Sequence, residues 1–278
     1  MTTKIDQHKD RLRKIKGVLF DVDGTFVNSK KEIPEGVSRI FPKLISSGCQ
    51  LGVCTGRSYS EIRRYILPLF PEDSIHIVDD GGRLVTSKGR VIEETLLPSD
   101  VVKKICLKAR QFGVDCGFGH QGIKYFNQPF LAHIQSKDKW QKSLANLENL
   151  EDWSTACLGI YNLNSKMKDY LLSLDPEQVE LVESKSSNHH STYIKLANKG
   201  VNKGSAAKKW ARYHDLRLEQ VMVIGDSHND LKAMEVSGMA VAVGNAVPVI
   251  KQASDLVVDD VDQDGLAKFL QKFLELAV

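Results

Sequence analysis

The sequence predicts an α/β protein in which strands alternating with helices build a parallel sheet, interrupted once by an inserted region of α+β type. Three observations carry this. Short apolar runs at 18–20, 49–54, 75–78 and 221–224 have the near-continuous hydrophobicity of strands buried on both faces. Helical patterns follow the runs at 18–20, 49–54 and 221–224, and a strand–helix–strand rhythm sets neighbouring strands parallel. That rhythm lapses from 82 to 190 and then resumes, so the chain reads as a core of 1–81 plus 191–278 with an inserted domain of 82–190.

Composition bounds the rest. With 278 residues, 42% hydrophobic and 26% charged, the chain has the make-up of a globular protein with one large or two medium cores. The formal charge of +3, from 38 basic and 35 acidic residues, is too small to argue for nucleic acid or a membrane surface. Basic residues crowd the start (Lys4, Lys9, Arg11, Arg13, Lys14, Lys16) among Asp6 and Asp10, and read as a solvated lead-in without the apolar stretch of a signal peptide. No run is long enough to span a membrane. Cysteines 49, 54, 106, 116 and 157 are odd in number and never in CxxC spacing, which suits reduced thiols and no zinc site. Cytoplasmic residence is the expectation.

Taken in order, residues 18–20 form a buried strand, and Asp21 and Asp23 arrive where it leaves the sheet. Gly24 allows a sharp turn and Thr25 adds a hydroxyl at the rim. Val37, Ile40, Phe41, Leu44 and Ile45 lie on helical spacing up to Gly48, with Pro42 inside, where it costs a hydrogen bond and bends the helix. Residues 49–54 are a second strand, followed by Thr55-Gly56-Arg57 and a helical run. Residues 75–78 end at Asp79-Asp80-Gly81-Gly82, a turn signal, and a hairpin surrounds Lys88-Gly89. Beyond Pro98, Ser99 caps a helix with Val102, Ile105, Cys106, Ala109 and Phe112 on one face. The insert then mixes β-like runs (123–126, 156–161, 179–182) with helical ones (140–150, 166–174). Residues 192–196 are strand-like, Asn202 precedes a helix, and 221–224 lead into Gly225-Asp226 and a helix at Asn229-Asp230-Leu231. Short strands at 239–243 and 256–258 and a final helix with Leu266, Phe269, Leu270 and Phe273 complete the chain.

In an open parallel sheet, ligands sit beyond the carboxyl ends of the strands. Asp21, Asp23, Thr55 and Asp226 all fall at such ends, so one crevice collects them. Lys203, a cation in the first turn of a helix, opposes the helix dipole unless an anion lies nearby. Acids facing one another repel unless something positive lies between, and Mg²⁺ suits one or two carboxylates completed by water and phosphate oxygens. Such a site favours phosphoryl transfer. An ionised carboxylate attacks phosphorus, Asp23 protonates the leaving oxygen and later takes a proton from water, and Thr55 holds a phosphoryl oxygen.

Four segments, Asp21-Val22-Asp23-Gly24-Thr25, Cys54-Thr55-Gly56-Arg57, Asn202-Lys203-Gly204 and the run 225–234, resemble in order the four motifs of the haloacid dehalogenase superfamily. The insert resembles the cap of its type IIB, Cof-like phosphatases. The resemblance implies a three-layer Rossmann-like core. It implies Asp21 as nucleophile and Mg²⁺ ligand, and Asp23 as acid/base with its backbone carbonyl on the metal. Thr55, Lys203, Gly56, Arg57 and Asn229 would bind phosphate, Asp226 would ligate Mg²⁺, and Asp230 would support the metal site from behind. The expected activity is Mg²⁺-dependent hydrolysis of a small phosphomonoester, such as a sugar phosphate, through an aspartyl-phosphate. A sugar phosphomutase and a non-catalytic phospholigand-binding protein are the alternatives. One departure is Asp80, which stands where Cof-like sequences usually carry Asn before Gly.

Other signals weigh less. The run 117–122 fits GxGxxG but lies among β-like residues instead of opening a helix, and 200–205 has the wrong order for a P-loop. His189-His190 reads as a solvated hinge ahead of a metal pair, and His228 as an exposed first-turn residue as readily as a site residue. His120, Lys124, Tyr125 and Asn127 are candidate substrate contacts in the cap.

Overall fold

The first apolar run becomes strand β1 (Gly17–Phe20), buried along its whole length, in a computed structural model that describes residues 2–120, 123–127, 144–147, 150–185 and 192–277. It lies between β2 (Gln50–Val53) and β12 (Val221–Gly225), and the sheet continues through β13 (Met239–Ala242) to β14 (Leu256–Val257), all pairs parallel. Phe20 pairs with Val53 on one side and Ile224 on the other. That register brings the loops after β1, β2 and β12 out at one level.

Beyond β2, strand β3 (Ile75–Val78) joins through a parallel bridge between Cys54 and Ile77, then pairs antiparallel with β4 (Arg83–Thr86), which pairs with β5 (Val91–Glu94).

Helices cover both faces of the sheet, giving three layers. A Cβ on Gly17 would run into Trp210 of helix Lys203–Tyr213, while Phe20 meets Phe41 of helix Glu35–Ser46. Residues three apart on a strand point to opposite faces. Helix Glu35–Ser46 packs on Gly265–Ala277, and Lys203–Tyr213 packs on Leu231–Val236. Pro42 leaves helix Glu35–Ser46 continuous.

The second sheet has the order β10-β11-β9-β6-β7-β8. Its strands are β6 (Asp115–His120), β7 (Ile123–Phe126), β8 (Leu144–Asn146), β9 (Leu158–Tyr161), β10 (Val179–Lys185) and β11 (Thr192–Asn198), antiparallel except for β7 with β8. Helices Ser99–Gln111 and Ser165–Leu172 supply Val102, Ile105, Met167 and Leu171 to its own apolar cluster.

Several expectations change. Leu84 and Val85 join the first apolar cluster, whereas β11 completes the second sheet and buries Ile194 and Leu196 in the second cluster. Antiparallel pairing with β3 holds the hairpin, and pairing with β9 and β10 holds β11. Residues 144–146 of the helix expected at 140–150 are strand, sheet pairing having overridden a helical pattern; 140–143 and 148–149 lie outside the described residues. The 117–120 stretch is one arm of an antiparallel hairpin, not a dinucleotide turn. Nor is the lead-in merely solvated. It forms helices Thr2–Gln7 and Lys9–Leu12, buries Ile5, Leu12 and Ile15, and seats Arg11 on Asp255 at 2.6 and 2.9 Å. Among the described residues, no helix is long and apolar enough to cross a membrane.

Beneath the loop after β1, Phe41 packs on Phe20, Phe26 and Phe70 with ring centroids 5.9, 5.3 and 4.8 Å away. Truncating it leaves a cavity that this close-packed cluster cannot fill. Phe41→Ala is expected to lower stability by about 3–5 kcal/mol in urea denaturation.

Candidate active site

Helix Lys203–Tyr213 begins with a reciprocal cap: Ser205 N–H donates to Asn202 Oδ1 at 3.0 Å, and Asn202 N–H donates to Ser205 Oγ at 3.1 Å. The cap aims Lys203 into the sheet's edge. There its fully buried ammonium donates to Asp21 Oδ1 at 2.5 Å and to Asp230 Oδ1 at 2.6 Å. Asp21 is placed by the ladder itself, its N–H bonding Ile224 O at 2.8 Å. Gly24 turns at φ 78°, and a Cβ there would lie 2.7 Å from Asp226 Oδ2; only glycine meets both demands. Thr25 Oγ1 donates to Asp226 Oδ1 at 3.1 Å. The motif after β1 therefore also fixes the acid after β12.

One oxygen from each of Asp21, Asp226 and Asp230 lies within 4.8 Å of the others. Burial pushes the Asp21 carboxyl well up; Lys203 pulls it down, and Asp230 and Asp226 push it up again. Asp226 is pushed up to about 7, by burial first and Asp230 second, against the Thr25 hydrogen bond and Lys203. Burial draws the Lys203 ammonium down, but Asp21 and Asp230 more than reverse this, so it stays charged. Three carboxylates thus share one ammonium, and the excess negative charge with hard oxygen donors fits a divalent cation such as Mg²⁺. Asp230 has one oxygen on Lys203 and the other accepting from Asp226 N–H at 3.1 Å and Ser227 N–H at 3.0 Å. It is thus tied both to the lysine and to the turn after β12.

The Asp23 side chain lies apart from this group. Arg57 Nε donates to its Oδ2 at 2.6 Å and Arg57 Nη2 to its Oδ1 at 2.6 Å, while Lys31 Nζ approaches at 3.1 Å. Burial would raise this carboxyl, but the Arg57 hydrogen bonds and charge, with Lys31, hold it well below the usual carboxylate range. Arg57, expected at phosphate, is seated on Asp23. Thr55 is buried beside β1 and accepts from Arg57 N–H at 3.1 Å. Gly56 O accepts from Lys195 at 3.3 Å, and Asn229 Nδ2 donates to Asp80 Oδ1 at 2.7 Å. His228 lines a cavity of about 190 Å³ with Lys203, Asn229, Asp80, Glu180 and Lys232.

Of the cap candidates, Asn127 bonds Val114 O at 2.8 Å and Cys116 N–H at 3.1 Å, Tyr125 is packed in the cap core, and His120 Nδ1 sits 2.8 Å from Ser154 O. These three brace the cap itself. Lys124 does reach the core, pairing with Glu61 at 2.6 Å. His189-His190 lies outside the described residues. Sequence reasoning missed Lys31 and Lys195; a lone lysine between Ile194 and Leu196 in an apolar strand was the available signal for the second.

A family model described as haloacid dehalogenase-like hydrolase matches residues 18–270. The chain is 25% identical over 276 residues to the 5-amino-6-(5-phospho-D-ribitylamino)uracil phosphatase YitU of Bacillus subtilis, covering 93% of this chain and 97% of that one. It is 23% identical over 259 residues to the HMP-PP phosphatase of Yersinia enterocolitica, covering 92% and 94%. Its fold matches BT1666, a haloalkanoate-superfamily phosphatase from Bacteroides thetaiotaomicron, with a TM-score of 0.77 at 23% identity over 94% of this chain and 96% of that one. The subclass IIB sugar phosphatase BT4131 gives the same TM-score at 21% identity, over 93% and 98%. With four motifs gathered at one sheet edge and the family model matching residues 18–270, the chain belongs to the haloacid dehalogenase-like hydrolases.

Proposed function

We propose that the protein is a Mg²⁺-dependent cytoplasmic phosphatase that hydrolyses a small phosphorylated metabolite, a sugar phosphate or similar monoester, through an aspartyl-phosphate on Asp21. The observation that carries this reading is the buried Lys203 ammonium bridging Asp21 and Asp230, with Asp226 within 4.8 Å of both carboxylates. Further support comes from relatives named as phosphatases of small phosphorylated compounds.

Asp21 attacks phosphorus as the bond to the leaving alcohol breaks, while Thr55, Gly56, Lys203 and Asn229 hold the phosphoryl oxygens. Mg²⁺ held by Asp21, Asp226 and the Asp23 carbonyl would neutralise charge on those oxygens. In its pairing with Arg57, Asp23 is ionised, the state that takes a proton from attacking water in the second step. Donating a proton in the first step requires Arg57 to leave Asp23 for the phosphoryl group, which reconciles the two roles expected of Arg57 and Asp23.

With Mg²⁺, the purified protein is expected to release inorganic phosphate from a panel of small phosphomonoesters, and Asp21→Asn to reduce release by about a thousandfold or more. Release undiminished by that substitution overturns the mechanism. Metal binding should follow the acids. Asp226 ionises in the folded protein only as pH rises through about 7, well above the ordinary 3.8, so in metal-free protein its burial costs stability as pH climbs between those values. Protons and Mg²⁺ compete for it. Mg²⁺ is therefore expected to raise the melting temperature at about pH 8 and to have little effect at about pH 5, as differential scanning fluorimetry with and without chelator would measure.

A further inference from the structure

Asp80 is where the cap meets the phosphate loop. It sits in a sharp turn with Asp79 and Asp80 both left-handed, at φ 52° and 54°, a conformation that Asp and Asn tolerate best among non-glycine residues. Its backbone N–H donates to Thr55 O at 3.1 Å and that of Asp79 donates to Arg57 O at 2.9 Å, so the turn is stitched onto residues 55–57. The residue is only 4% exposed, and its carboxylate does two things at once. Oδ1 accepts from Asn229 Nδ2 at 2.7 Å, and Oδ2 forms an ion pair with Lys195 from the cap strand β11. Lys195 also donates to Gly56 O at 3.3 Å. Gly56 leaves the room for this pair, because a Cβ there would collide with Lys195 Nζ and lie 2.8 Å from both Asp80 oxygens.

An asparagine at position 80 could serve the turn and Asn229 without bringing a charge. A buried carboxylate needs a cation, and here the cation comes from the other sheet. Resting on the reading given above, we infer that Lys195 is a positioning residue. Seated on Asp80 and Gly56 O, it ties cap closure to the placement of Thr55 and Asn229 around the phosphoryl group. When the cap lifts, Lys195 leaves with β11. Asp80 then hydrates and Gly56 O loses its Lys195 donor, so the turn that holds Asn229 and the Thr55 loop is less firmly fixed.

The test is a double-substitution cycle with Lys195→Met and Asp80→Asn, read as kcat and KM for para-nitrophenyl phosphate with Mg²⁺ and, in parallel, as melting temperature. Lys195→Met is expected to lower kcat at least about tenfold with a smaller change in KM, because it strands a buried charge beside Asn229. Adding Asp80→Asn removes that charge, so the double variant is expected to be no worse than Lys195→Met alone, and Lys195→Arg to keep most activity. Losses that multiply in the double variant overturn the inference and point to Lys195 touching substrate directly. Coupling that appears in melting temperature but not in kcat also overturns it, leaving a structural ion pair. Should Lys195→Met fail to fold, Lys195→Gln takes its place in the cycle. Phosphate release by the unsubstituted protein tests the proposed function separately, and only the cycle tests the pair.

Discussion

One buried ammonium organises this molecule. Lys203 has no exposed side-chain surface, and its charge is tolerated because Asp21 and Asp230 approach to 2.5 and 2.6 Å. Burying a lysine unpaired would cost several kcal/mol, and removing one partner of such a pair typically costs about 3–5 kcal/mol. Satisfying the lysine therefore obliges three separate stretches of chain to meet: the exit of β1, the first turn of helix Lys203–Tyr213 and the turn after β12. The same demand that stabilises the fold assembles the chemistry.

The sheet makes the meeting possible. Phe20, Val53 and Ile224 stand side by side in register, so the loops that follow leave at one level. Below them the rings of Phe20, Phe26, Phe41 and Phe70 form a rigid floor, with Phe20 and Phe26 on either side of the acidic loop and 5.5 Å apart. Rigidity matters here because three carboxylates packed closely would otherwise spread apart. Thr25, bonded to Asp226, and Asp230, bonded to the N–H groups of Asp226 and Ser227, hold the crowded acids together.

Among the described residues, several ion pairs join the cap to the core. Lys195 pairs with Asp80, Lys124 with Glu61 and Lys232 with Glu180, each joining a residue of one sheet's unit to a residue of the other's. The pairs differ in depth. Lys232 is more than half exposed, so its pair is screened and weak, whereas Asp80 and Lys195 are mostly withdrawn from water. An interface built from ion pairs can part and re-form, because both charges regain hydration when it opens. An apolar seam of the same size would resist opening.

The amino-acid sequence by itself determined the strand exits and what they carry. Apolar runs ending in Asp21, Thr55 and Asp226, and Asn202 before Lys203, are local patterns, and the parallel-sheet rule turns them into a shared crevice. Local signals also sufficed for helices Glu35–Ser46, Ser99–Gln111 and Ser165–Leu172, whose apolar spacing was legible, although Ser99, expected as a cap, is the first helical residue after Pro98 and its Oγ accepts from Trp153 N–H at 2.8 Å instead. Only tertiary structure decided the rest. Strand β11 pairs with β9 and β10, and strand membership of this kind depends on partners that periodicity does not name. Arg57 closed on Asp23, and Lys195 reached Asp80 from 115 residues away. No local pattern encodes such contacts: which cation satisfies which buried acid is settled by the three-dimensional balance of charge and desolvation.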